Sequence, residues 1–194
     1  RGRRRHPRMK LSSRIGQAMC WWWRIWKRPV SRISKSIGGK ICSSWLDVFV
    51  CHFPSRLGGE LESDEKRMFV ASVIRAKVDN LFTSNQCANI VIMGDFNDYP
   101  TNKSMTEVLQ AKPLTNNNPA KELYNLVYKM HTEGKGSNKH NGEWGALDQM
   151  IVSGNLLNNN AKLFTRQNDV HFFDADFLLE DDKAFLGKRS EERR

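Results

Sequence analysis

Asn89-Ile90-Val91-Ile92-Met93-Gly94-Asp95-Phe96-Asn97-Asp98-Tyr99-Pro100 is the stretch that decides the fold. Ile90 to Met93 is an unbroken apolar run of strand length, the pattern of a strand buried on both faces. Asp95, Asn97, Asp98 and Pro100 then stop the ladder. The end of a buried strand is where open sheets place their sites. On an extended backbone Asp95 and Asn97 project to the same side. A carboxylate beside an amide suits orienting a water and a phosphate oxygen near a hard cation. The same two residue types also make a plain turn, in which each bonds to nearby backbone.

Outward from this stretch, the pattern alternates. Leu46-Asp47-Val48-Phe49-Val50-Cys51-His52 reads as a second buried strand. Phe53 to Ser63, with Pro54, Gly58 and Gly59, reads as a loop. Asp64 to Phe82 has the helical period: Val70, Ile74, Val78, Leu81 and Phe82 share a face, while Lys66, Arg67, Arg75 and Asp79 fall elsewhere. Ser63 or Asp64 is the expected N-cap. Ser104-Met105-Thr106-Glu107 has capping-box spacing and opens a short helix to about Gln110. Leu123, Leu126, Val127 and Met130 give another helical stripe, starting near Pro119. Gly134 to Gly142 is polar and turn-rich, and Leu147 to Val152 reads as a third strand. Strands alternating with helices indicate a layered α/β or α+β domain.

Two further polar residues mark strand ends. His52 closes the Leu46–His52 strand and precedes Pro54; it can serve as an acid or donate to a phosphate, or be a half-buried histidine bonded to backbone. Asp148 enters the third apolar strand, where a buried acid requires a partner, by default Lys or Arg. Together with Asp95 and Asn97, these residues can meet on one sheet edge.

The charge is unevenly spread. The chain has 194 residues and a net charge of +10, but residues 1–46 hold 13 Lys and Arg and no acid, and five of the six Trp. The remainder carries 18 basic and 21 acidic residues. A mildly acidic domain thus follows a basic, Trp-rich arm. No run of 18 apolar residues is present, so no membrane-spanning helix is expected. Cys20, Cys42, Cys51 and Cys87 have no C-x-x-C spacing and indicate no zinc site. A composition of 39% hydrophobic and 27% charged residues argues against disorder.

Ile92-Met93-Gly94-Asp95-Phe96-Asn97, His52-Phe53-Pro54-Ser55 and Leu147-Asp148-Gln149-Met150-Ile151-Val152-Ser153, in this order, resemble the motifs of the endonuclease/exonuclease/phosphatase superfamily, the fold of deoxyribonuclease I. Val50-Cys51-His52-Phe53-Pro54-Ser55-Arg56 resembles its bacterial branch. The resemblance implies a four-layer α-β-β-α sandwich and hydrolysis of a phosphate ester, nucleic acid among the substrates, with Mg²⁺ or Mn²⁺. It implies that Asp95 positions or deprotonates the attacking water and that Asn97 holds phosphate and water. Both stand near the metal. His52 would stabilise charge on the phosphoryl oxygens, and Asp148 would orient a second His. Arg56 either adds a cation at the phosphate or is a solvated loop residue.

Two family features have no counterpart. Residues 1–45 contain neither the Asn nor the metal-binding Glu of the family's first strands, and residues 153–194 lack its Ser-Asp-His triplet. The expectation is a partial domain over residues 46–189 without the first and last strands. Residues 1–45 are then foreign to the fold, and residues 190–194 are a frayed tail. Such a chain should show little or no metal-dependent turnover. The alternative function is non-enzymatic binding of nucleic acid or anionic lipid through the basic arm.

Overall fold

The computed structural model describes residues 26–29, 45–56, 59–140 and 142–173. Their organising unit is a β-α-β crossover. Strand β2 (Trp45–His52) leads through helix α1 (Glu60–Ser84) to β3 (Asn89–Asp95), which lies parallel to β2. Strand β1 (Trp26–Pro29) pairs antiparallel with β2 on its outer side. Beyond β3 come β8 (Asp148–Ser153), antiparallel to it, then β5 (Leu123–Asn125) and β4 (Ala111–Lys112). The six-stranded order is β1-β2-β3-β8-β5-β4. A short helix α2 (Tyr128–Thr132) and a two-stranded ribbon, β6 (Asn138–His140) with β7 (Glu143–Gly145), complete the regular elements. No described helix is long and apolar enough to cross a membrane.

The core follows the period-2 alternation of the strands. Phe49, Ile90, Ile92 and Ile151 meet Ala71, Ile74, Val78 and Phe82 of α1, with Met105 and Leu109 closing one end. The opposite sheet face carries Val91, Met150 and Val152, packed with Leu126 and Leu156. This is the mixed α/β layering that the strand-helix alternation indicates. Among the described residues, one main sheet and its helix layer are present. Of the basic arm, only Trp26–Pro29 and Trp45 are described; the rest of residues 1–45 and the tail 190–194 lie outside the described residues.

Four local expectations are corrected. The helical stripe over 123–130 is divided: Leu123–Asn125 forms β5, and only Tyr128–Thr132 is helical. Leu123 to Val127 are all buried, and pairing with β8 overrides the helical spacing. Helix α1 begins at Glu60 after Gly59, whose φ is +123°, rather than at Ser63 or Asp64. Arg67 sits in the buried face of α1 rather than on its polar side. The turn at Ser104–Val108 is π-helical and lacks the expected side-chain cap. Ser104 instead donates its hydroxyl proton to Asp98.

Gly94 explains the glycine of the decisive stretch. Its φ is +134°, and a Cβ there would stand 2.0 Å from the carbonyl oxygen of Cys51 on β2. The two parallel strands thus close where their functional ends begin. Gly94→Ala combines a backbone clash with a disfavoured φ and should cost about 3 kcal/mol or more in urea unfolding. A loss below about 1 kcal/mol would show that the strands separate there at little cost.

Candidate active site

Strand direction gathers the polar residues on one edge. β2 and β3 are parallel, so His52 and Asp95 end together, in register. β8 runs the other way and begins on the same edge, with Asp148 opposite Asp95. His52 Nε2 lies 3.8 Å from Asp95 Oδ2, with side-chain exposures of 62% and 38%. His52 is therefore exposed rather than half-buried. Asp148 is exposed too, which corrects the expectation of a buried acid in need of a cation. No ion-pair partner of Asp148 occurs among the described residues. Its backbone N–H donates to Ser137 Oγ at 3.0 Å, tying the start of β8 to the segment before β6.

Asp95 and Asn97 are joined by a turn that serves the site as well as the chain. The Asn97 N–H donates to Asp95 Oδ1 at 2.8 Å, and Asn97 Nδ2 donates to the Phe53 carbonyl at 3.0 Å. Asn97 has a φ of +48°, so the two side chains are not related by simple strand alternation. The Asp95 carboxyl is pushed above the ordinary aspartate range, chiefly by burial. The Asn97 N–H lowers it, the Asp148 charge raises it further, and His52 lowers it.

Beneath this turn lies a polar centre that the sequence did not disclose. Asp98 is fully buried and accepts from Asn102 Nδ2 at 2.7 Å and from the Ser104 hydroxyl. Arg67 Nε stands 3.1 Å and Arg56 Nη2 3.3 Å from Asp98 Oδ1, with both Arg67 and Asp98 side chains 0% exposed. Arg67 also donates to Ser63 Oγ. Gln149 Nε2 donates to the Asp98 carbonyl at 2.6 Å, and Asn125 Nδ2 donates to Gln149 Oε1 at 2.6 Å. Below the turn, Phe53 and Phe96 pack with ring centroids 4.9 Å apart. The only signal for this centre is Asp98 following Asn97, and an acid after a turn residue ordinarily faces water.

Arg56 is not a solvated loop residue. Its Nε donates to the Asn97 carbonyl at 2.8 Å, and its guanidinium lies 4.3 Å over the Tyr99 ring. Tyr99 stacks with His131 at 4.9 Å, and burial pushes the His131 imidazole below its ordinary range. Cys51, beside Gly94, has its thiol raised to about 12 by burial, which makes it a packing residue rather than a nucleophile.

The oxygen donors at this edge are the carboxylates of Asp95 and Asp148 and the side-chain amide of Asn97. Asp95 and Asp148 present carboxylates at facing positions whose mutual repulsion a cation would relieve. Mg²⁺ typically keeps several waters and needs only one or two carboxylates beside a phosphate. No group of three or more His, Cys, Asp or Glu side chains able to hold a metal occurs among the described residues.

The fold and this edge define a mixed α/β protein whose polar site lies at strand ends beside a buried-charge loop. The model of the Endonuclease/Exonuclease/phosphatase family matches residues 28–191, and the chain belongs to that family. Membership points to hydrolase chemistry of the phosphoesterase or nuclease type. No curated protein matches the chain. Among solved structures, the crystal structure of truncated Caenorhabditis elegans TDP2 is similar at 15% identity and a TM-score of 0.35. The match covers 61% of this chain and 43% of that one, so the chain spans less than half of the TDP2 chain.

Removing either member of the buried pair strands the other. Arg67→Ala and Asp98→Ala should each cost about 3–5 kcal/mol. The double variant should cost clearly less than their sum when a urea double-mutant cycle is measured. Additive costs would mean that the pair is not coupled. Asp95 gives a prediction of opposite sign. Its pKa is higher folded than unfolded, so the native state holds more protons as pH rises through that window, and stability falls with pH. In metal-free buffer Asp95→Asn should therefore raise the unfolding midpoint at pH 7 and flatten its fall above pH 4. A lower midpoint at pH 7 would contradict this.

Proposed function

We propose that the chain is a divalent-metal-dependent phosphoesterase domain that hydrolyses a phosphodiester or phosphomonoester by an activated water at the β2-β3-β8 edge. The observation that carries this reading is the register of His52, Asp95 and Asp148 on one edge, with Asn97 bonded to Asp95. Asp95 suits the base role because burial and the facing Asp148 raise its proton affinity. Asn97 has its amide nitrogen committed to Phe53, which leaves Oδ1 as the end for a water or metal. His52 is exposed beside Asp95 and stands where it can donate to a phosphoryl oxygen. Asp148 adds the second carboxylate of the edge. Mg²⁺ or Mn²⁺, held by Asp95 with Asn97, would screen the phosphate and stabilise the charge developing on it.

Among the described residues the donors are few, and low turnover is the expected outcome. A metal held by Asp95 with Asn97 lacks, among the described residues, the further anionic ligand that the family resemblance implies. The substrate class is a phosphate ester, with nucleic acid among the forms to be tested.

Cleavage of bis(4-nitrophenyl) phosphate should be slow, stimulated by Mg²⁺ or Mn²⁺, and abolished by EDTA. Asp95→Ala should reduce it by about 10²–10³ or to background. Turnover that survives Asp95→Ala would place the chemistry elsewhere.

A further inference from the structure

One guanidinium is held by three consecutive residues of the loop after β3, each in a different way. Arg56 Nε donates to the Asn97 carbonyl at 2.8 Å, Nη2 donates to Asp98 Oδ1 at 3.3 Å, and the group lies 4.3 Å over the Tyr99 ring. The Arg56 side chain is 22% exposed. The ring it rests on is fixed in turn: a Cβ on Gly145 would stand 2.2 Å from Tyr99 Cε1, and His131 stacks on the same ring at 4.9 Å.

The residue this arrangement constrains is Asn97. Its φ of +48° is uncommon for a residue with a Cβ, and such conformations persist where the surroundings over-determine them. Here every backbone polar group of Asn97 is committed: the N–H to Asp95 and the carbonyl to Arg56. Nδ2 is committed to Phe53. Arg56 lies four residues beyond His52, so the same contact also ties the loop after β2 to the loop after β3.

We propose that Arg56 is a positioning residue for the Asp95-Asn97 turn rather than a ligand of the substrate phosphate. It holds Asn97 in its left-handed conformation and fixes the end of β2 against the end of β3. The proposal rests on the reading of Asp95 and Asn97 as the reacting pair. The planar fork of arginine is what the role requires, because a lysine ammonium is a compact point charge that cannot satisfy the carbonyl, the carboxylate and the ring together. A phosphate ligand would need the charge; a clamp needs the fork.

Arg56→Lys and Arg56→Ala separate the two. Amide hydrogen exchange at Asn97, read by NMR on the full chain, should quicken about tenfold or more in both variants, because losing the charge-assisted bond to the Asn97 carbonyl frees the turn that holds the Asn97 N–H on Asp95. Leu156→Ala, in the cluster on the other sheet face, should leave Asn97 exchange near wild type. Inorganic phosphate, titrated into each variant, should lose affinity alike in the Lys and Ala forms. An Arg56→Lys chain that keeps wild-type Asn97 exchange and phosphate affinity, with only Arg56→Ala impaired, would overturn the proposal in favour of a phosphate ligand. The exchange readout needs no turnover. A wild-type chain that neither binds phosphate nor cleaves a phosphoester would sink the phosphoesterase reading, while Asn97 exchange would still decide the clamp.

Discussion

The buried Asp98 carboxylate is the constraint on which the rest of the edge depends. A charge with no access to water must be met by other charges and donors, or it neutralises or unfolds its surroundings. Asp98 meets Arg67 from α1, Arg56 from the loop after β2, and Asn102 and Ser104 from its own loop. Its carbonyl is bonded to Gln149 of β8. One residue thus connects the helix layer, the loop after β2 and strand β8 at the point where the turn carrying Asp95 and Asn97 leaves the sheet. The turn is rigid because what lies under it is costly to move.

That rigidity keeps together groups that repel one another. Asp95 and Asp148 face each other across the β3-β8 pair, and burial further disfavours the Asp95 charge. The edge is therefore less stable than a neutral edge would be at neutral pH. This is the usual state of a site poised to bind a cation or take a proton, since each relieves the repulsion. Gly94 belongs to the same logic. It permits the close approach of β2 and β3 that sets His52 beside Asp95.

Much of this was legible in the sequence, for identifiable reasons. The run at Leu46–His52 is nearly continuous in apolar residues and that at Ile90–Gly94 is wholly so, which places β2 and β3 nearly to the residue. The C-terminal positions of His52, Asp95 and Asn97 followed from those boundaries. The spacing of Leu123, Leu126, Val127 and Met130 reads as a helix because a strand of three residues buried on both faces has no period of its own. Arg67 was assigned to water because isolated charge on a helix is ordinarily solvated; only the fold reveals that Asp98, 31 positions later, lies against it. For Arg56 the sequence leaves phosphate and solvent both open, and its contacts with residues 97 to 99 depend on loop geometry that no local pattern encodes.

The central proposal is that His52, Asp95, Asn97 and Asp148 form a single site whose cation is held by Asp95 with Asn97. Titration of the chain with Mn²⁺, followed by paramagnetic broadening of NMR signals, tests it most directly. At low Mn²⁺ the signals of these four residues should broaden first and together, and Asp95→Ala should remove the effect at all of them. Broadening that begins at exposed acidic positions such as Asp79 or Glu133, with the four residues unaffected, would contradict the account.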